Sequence, residues 1–277
     1  MTASGDSIYL PPFSYFNQIP GRYYVISYEF PLNEKVRTWL RLEDLFARMN
    51  YFMSGELGME HHFALTTLFE IHEVASRPEL KSELLQELER QKRSLSGLHN
   101  NPAISEQALD QVLNEIEQAA ADLQSMIGKV GVNLRKNEWL MSIKQRVGIP
   151  GGTCQFDLPS YHYWQNQPAS LRRANLREWL APSLPISAAI NFLLHLLREN
   201  GKTIGFTAPR GTFQQMQGGR SAQLLRVSLN KKLACIPEFS ANKYVINIRF
   251  IIANYAAKSS LFEEDVPFDL TFCTLQS

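Results

Sequence analysis

The chain has 277 residues, 44% of them apolar and 20% charged, with a formal net charge of +1. That is the composition of a globular protein of one large domain or two lobes, and it excludes both a largely disordered chain and a general polyanion sponge. Three cysteines (Cys154, Cys235, Cys273) without CxxC or Cys/His spacing make no disulfide framework and favour a reducing cytoplasm, while the longest apolar stretch, 188–197, is too short for a membrane span and no signal peptide opens the chain.

Residues 1–22 show no sustained period and are expected to form a flexible N-terminal arm. From Tyr24, the residues Tyr24, Ile26, Tyr28 and Phe30 alternate with polar neighbours, which predicts a strand stopped by Pro31. Asn33 then caps a helix carrying Val36, Trp39, Leu40, Phe46, Met49 and Met53 at spacings of three and four. A second helix covers 59–75, and Pro78 opens a third with Leu80, Leu84, Leu88, Leu95 and Leu98. Asn101-Pro102 breaks it, and Ser105 caps a fourth bearing Leu109, Ile116 and Leu123, so that the two form an antiparallel helical hairpin. Further helical patterns run over about 133–147, 170–180 and 186–199, giving about seven helices.

The period changes after Asn200-Gly201, a helix C-terminus signal. Alternation predicts strands over 222–231, 244–252 and the segment around Val266 to Phe272, and the N-terminal strand needs neighbours, so it is expected to join them as a fourth. The expected fold is therefore α+β, with an arm at 1–22, a helical lobe at 31–201 and a small antiparallel β lobe built from 23–30 and 202–277.

Charge is segregated along this order. Residues 201–262 hold nine Lys or Arg against Glu238 alone, whereas 1–200 hold 19 bases and 22 acids, and 263–277 hold four acids and no base. Such a segment attracts an anionic partner, an acidic peptide tail or a nucleic acid. An RNA-reading sheet needs exposed aromatics among its bases, but the period puts Tyr244 and Phe250 on the aliphatic face, which makes the nucleic-acid reading the runner-up. On the other face Arg226 and Arg249 would accompany Glu29, Ser228, Asn247 and Asp269, and the bland alternative is a set of cross-strand ion pairs.

No motif supplies an active site, cofactor site or metal site. Gly201-Lys202-Thr203 resembles the end of a P-loop but follows a helix and has Leu196 where a glycine is required, so it reads as a helix cap and linker. Cys154 and His162 could form a nucleophile and base, yet no third orienting group is marked, and Pro150-Gly151-Gly152 is first a tight turn. His62 and His72 lie about three helical turns apart, too far for one ion shared with His61.

Longer strings are recognisable. Pro31-Leu32-Asn33-Glu34-Lys35-Val36-Arg37-Thr38-Trp39-Leu40-Arg41, Glu83-Leu84-Leu85-Gln86-Glu87-Leu88, and Ile149-Pro150-Gly151-Gly152 followed by Phe156-Asp157-Leu158-Pro159, His162 and Trp164, together with Leu224-Leu225-Arg226 and Ile248-Arg249-Phe250, resemble the ZapD family of bacterial cell-division proteins. The resemblance covers about residues 25–275. It implies a cytoplasmic, non-enzymatic homodimer that binds the C-terminal tail of FtsZ and bundles its protofilaments at the mid-cell division ring. It also implies dimer roles for Arg41 and His162 and FtsZ contacts for Arg77 and Arg249; Glu138 and Val245 stand where relatives can be basic. With the charge pattern, the expected tail site comprises Arg77, Arg220, Arg226, Lys243 and Arg249.

Overall fold

The computed structural model describes residues 25–99, 101–102, 104–126, 131–216, 222–242, 244–254, 256 and 258–275; the expected arm at 1–22 lies outside them. The protein is α+β, and the chain divides into two compact units, one containing Arg41–Asn191 and the other lying within Asn17–Leu40 and Phe192–Ser277. Helices α1 (Glu34–Ser54) and α9 (Leu184–Glu199) each contribute residues to both.

The first unit is helical. Asn33 Oδ1 accepts from Val36 N–H at 2.8 Å to start α1, whose Leu42, Leu45, Phe46 and Met49 are buried. Next come α2 (Gly58–Ala75), α3 (Leu80–Ser96) and α4 (Glu106–Ser125). Ser105 caps α4, and the two last helices pack antiparallel through Leu84, Leu88, Ile116 and Leu123. The Lys92–Glu117 pair bridges the hairpin at 2.9 Å, while Lys81 Nζ donates to the Met126 carbonyl at 3.0 Å, placing a cation at the negative end of α4.

The helix expected over 133–147 is in fact two, α5 (Val132–Lys136) and α6 (Glu138–Val147). Asn137 is extended (ψ 97°) and its side chain accepts from Leu140 N–H at 3.0 Å, so it ends one helix and caps the next. A short α7 (Pro159–Gln165), with proline at its first position, was not expected and precedes α8 (Ala169–Leu180), which brings the described residues to nine α-helices.

From Ala169 to Glu199 the chain is one continuous helical run, longer than the apolar stretch in the sequence suggested and long and apolar enough to cross a membrane by length and composition. Its apolar residues Ile186, Ala189, Ile190, Leu193, Leu194 and Leu197 are instead fully buried in the protein. In the helical unit Trp179 of this run joins Trp139, Tyr161 and Trp164 in a continuous ring cluster with centroids 5.6–6.1 Å apart.

Among the described residues the second unit holds seven strands: β1 (Val25–Pro31), β2 (Lys202–Ala208), β3 (Thr212–Met216), β4 (Leu224–Asn230), β5 (Cys235–Ala241), β6 (Val245–Ile252) and β7 (Val266–Cys273). They form two antiparallel sheets, ordered β1-β4-β7-β2 and β3-β6-β5. The expected single four-stranded sheet is thus corrected: β1, β4 and β7 share the first sheet as anticipated, but β6 belongs to the second. Strands β2, β3 and β5 went unread because Gly205 and Pro237 interrupt the alternation in two of them and β3 is only five residues long. The inner faces meet in a common core of Leu225, Val227, Leu229, Leu270 and Phe268 from one sheet and Ile246, Ile248 and Phe250 from the other. Phe250 contacts Phe268 at 5.0 Å and Phe30 stacks on Phe239 at 5.0 Å across this interface.

Candidate functional site

Because the inner faces of both sheets are shared, side chains on the outer faces point in opposite directions. Arg226 alternates with the buried Leu225 and Val227 on β4, and Arg249 alternates with the buried Ile248 and Phe250 on β6. The two guanidinium groups anticipated on one surface therefore lie on opposite outer faces of the β unit.

Their surroundings differ as much as their positions. Arg226 pairs across the strands with Glu29 and donates Nε and Nη2 to its Oε1 at 3.1 and 3.0 Å. Arg198, near the end of α9, donates Nε and Nη2 to Oε1 and Oε2 at 3.0 and 2.8 Å. The side chains of Glu29, Arg198 and Arg226 are only 13%, 14% and 21% exposed. Burial alone would raise the Glu29 pKa, but the hydrogen bonds and charges of Arg198, then Arg226, outweigh it and hold the carboxyl below its ordinary range. Arg226 is thus committed to a carboxylate within the fold, and Arg198, which the charge pattern had not singled out, is the residue that completes the arrangement. Its signal in sequence was weak: a basic residue in the last turn of an apolar helix also has the ordinary role of favouring the helix dipole.

Arg249 is exposed, stands between Thr212 of β3 and Glu238 of β5, and forms no ion pair among the described residues. Nearby, Pro209-Arg210-Gly211 makes the corner from β2 to β3 with two consecutive left-handed residues (φ 48° and 69°). Gly211 is required there, because a Cβ would fall 2.1 Å from the Phe262 carbonyl oxygen. Arg210 N–H donates to Asp265 Oδ1 at 3.0 Å, and its exposed side chain stands two residues from Thr212. Lys243 and Arg220 lie outside the described residues.

In the helical unit Arg77 is exposed just before Pro78, Arg41 is exposed on α1, and His162 is exposed on α7, where Asn166 Nδ2 donates to its carbonyl at 2.9 Å. The structure therefore brings none of these three together with Arg226 and Arg249 within one unit. The same unit exposes an unusual set of large apolar side chains: Leu57, Met59 and Phe63 at the start of α2, and Tyr163 on α7.

The backbone around them is tied by hydrogen bonds. Glu60 Oε2 accepts from the Glu56 and Leu57 N–H groups at 2.9 and 2.8 Å, closing the first turn of α2. Arg172, buried and with no carboxylate partner among the described residues, donates Nε to His61 Nδ1 at 2.7 Å and its Nη groups to the carbonyls of Gln165, Gln167 and Glu56. Since Arg172 can only donate, His61 must accept at Nδ1 and donate Nε2–H to the Gly55 carbonyl at 3.0 Å, which fixes a neutral tautomer. Burial first, then the Arg172 charge, lowers the His61 pKa accordingly. Gly58 approaches the α7 terminus so closely that a Cβ would sit 2.8 Å from the Gln165 carbonyl oxygen.

The remaining histidines and Cys154 have separate surroundings. His62 Nδ1 lies 2.7 Å from the Tyr161 hydroxyl, which burial keeps protonated by raising its pKa. His72 is buried, and burial followed by the charge of Lys144 lowers its pKa to about 4. No hydrogen bond joins Cys154 to His162 among the described residues. At the hairpin tip, exposed His99 meets Glu106 at 2.9 Å through Nδ1 and Asp110 at 4.0 Å through Nε2, a grouping the sequence reading missed. One ligand atom from each of the three residues lies within 4.8 Å of the others, so the two carboxylates converge on the ring.

A family model described as "ZapD: Cell division protein" matches residues 40–249. Among curated relatives, the cell division protein ZapD of Chromobacterium violaceum is 53% identical over 250 residues, covering 90% of this chain and 99% of the relative. The proteins of the same name from Aromatoleum aromaticum and Dechloromonas aromatica are 52% and 51% identical, covering 91% of this chain and 98% and 100% of their own lengths.

Proposed function

This chain belongs to the ZapD family of cell division proteins, and on that premise we propose that it is a non-enzymatic, cytoplasmic crosslinker that binds the C-terminal tail of FtsZ and, as a homodimer, bundles FtsZ protofilaments at the division ring. Family membership over nine-tenths of the chain carries this reading. Exposed Arg249, without an ion-pair partner among the described residues, supports it as the group that receives tail carboxylates. Arg77 contributes further positive charge, as do Lys243 and Arg220, while Arg226 acts indirectly by holding Glu29 and the first sheet.

Exposed ion pairs are worth roughly 0.2 to 1 kcal/mol each, far below the roughly 8 kcal/mol of a micromolar complex. Apolar contact must therefore carry part of the binding. In the same way, Leu57, Met59, Phe63 and Tyr163, the last adjacent to His162 in the chain, supply the apolar area on which a second copy docks, with Arg41 and His162 as its polar contacts. Two tail sites per dimer tie together filaments that each display many tails, whereas a single site can only decorate them.

Co-sedimentation with FtsZ polymers, intact or lacking their last residues, tests the reading over a salt series. Pelleting should require the tail and weaken as salt rises. Undiminished pelleting with truncated polymers removes the tail from the account.

A further inference from the structure

Strand β3 is an edge of the second sheet, and its hydrogen-bonding direction follows from its neighbour. On β6, the Phe250 carbonyl accepts from Phe262 N–H at 2.8 Å and Ile252 N–H donates to Ser260 at 2.9 Å, both on the side that β3 also occupies. Backbone groups alternate in direction along an antiparallel strand, so Ile246 and Ile248 face β3 and pair with Gln215 and Phe213. Thr212, Gln214 and Met216 consequently turn their carbonyls, and Gln214 and Met216 also their N–H groups, to the open side. No backbone partner meets those of Gln214 among the described residues.

The opposite edge of this sheet is different. Phe239 and Ala241 of β5 face outward by the same alternation, and so does Pro237, which lacks an N–H; the edge is blunted. Strand β3 has neither proline nor charge, and its last residue, Met216, is 72% exposed. Arg249 stands one strand away on the same outer face, with only the small Thr212 between it and the edge. A strand added at the usual spacing of about 4.8 Å would lie about 10 Å from β6, a distance that an extended arginine and a carboxylate side chain close together. On the other sheet, the arginine next to edge β1 is already committed to Glu29.

We propose that the open edge of β3 takes an extended acidic peptide as an added strand, with main-chain pairing to Gln214 and Met216 and a carboxylate of the peptide on Arg249. The inference rests on the tail-binding reading and specifies how the tail is held. Main-chain pairing supplies affinity that exposed ion pairs lack, and Met216 offers apolar contact to one face of the added strand.

The test uses the full chain and a synthetic peptide of the FtsZ C-terminal tail, with affinity read by anisotropy. Gln214→Pro removes an outward N–H without touching the ladder to β6, as Pro237 does on β5, and should weaken binding about tenfold or more, whereas Gln214→Ala should stay within about twofold. Peptides N-methylated at alternate residues provide a second measurement on the unaltered protein: one alternate set should lose binding by a similar factor and the other should keep it. Equal binding by both sets, or full affinity in a folded Gln214→Pro variant, overturns the edge mode. If Arg249→Glu still abolishes binding in that case, the tail reading survives without it; if Arg249→Glu also binds normally, both fall.

Discussion

Replacing Glu29 by glutamine should destabilise the β unit substantially. The carboxylate accepts four hydrogen bonds, two each from Arg198 and Arg226, and all three side chains are largely removed from solvent. The neutral amide leaves two guanidinium groups close together with no counter-charge. Removing one partner from a fully buried pair costs about 3–5 kcal/mol, and the residual exposure of these groups brings the expected loss to about 2–3 kcal/mol. Urea titration followed by far-ultraviolet circular dichroism measures it. The Glu29 pKa lies below its ordinary value of 4.5, so its contribution is complete above that pH and disappears as pH falls through the lower folded value. Glu29→Gln should therefore also flatten the acid limb of the stability profile. In a double-mutant cycle, Arg226→Met should cost much less in the Glu29→Gln background than alone, with a coupling of about 1 kcal/mol or more. A Glu29→Gln loss under about 0.5 kcal/mol, or additive single effects, would refute the view that Arg226 is occupied within the fold.

Arg249→Glu should abolish FtsZ bundling while leaving stability within about 0.5 kcal/mol and the dimer intact by sedimentation velocity, because the side chain is exposed; His162→Ala should instead shift the monomer–dimer equilibrium first. Gly58→Ala should cost about 1–3 kcal/mol in thermal or urea unfolding, since the added methyl meets a backbone carbonyl that cannot rotate away. The His61 pKa lies below its ordinary value of 6.5, so the neutral ring's contribution is complete above pH 6.5 and is lost as pH drops through the folded value. Stability measured from pH 8 to pH 5 should fall on the acid side, and Arg172→Met should reduce that slope.

The helices were legible wherever periodicity and caps agreed: Asn33 and Ser105 occupy the positions their side chains announce. Asn137 carries the same chemistry, but it lies inside a run that remains helical by period on both sides, so local hydrogen bonding overrode the pattern. In the β unit, alternation gave the buried faces of β4 and β7 and placed Arg226 and Arg249 on outer faces. Tyr244 and Ile252, expected on the buried face of β6, are instead 63% and 39% exposed, and Ile26 of β1 is 39% exposed, because these positions lie at the ends of their strands, beyond the shared core. Alternation could not say that there are two outer faces. That fact depends on strands whose own alternation is broken by Gly205 or Pro237, and on pairing partners distant in the chain. The Glu29–Arg198 contact joins residues 169 positions apart, a relation no local spacing encodes. The family strings were legible because they are contiguous, whereas the edge of β3 is defined by what its neighbours do.

The grouping of indole rings governs what optical spectroscopy can see. Three of the chain's four tryptophans (Trp139, Trp164, Trp179) sit together in the helical unit, and Trp39, from α1, is the sole indole assigned to the other. Intrinsic emission is therefore weighted toward the helical unit, and melting of the strands registers chiefly through Trp39. In a Trp39→Phe protein the two signals part company: fluorescence follows the helices alone, and the difference between that curve and the dichroism of the backbone isolates the β unit's own transition.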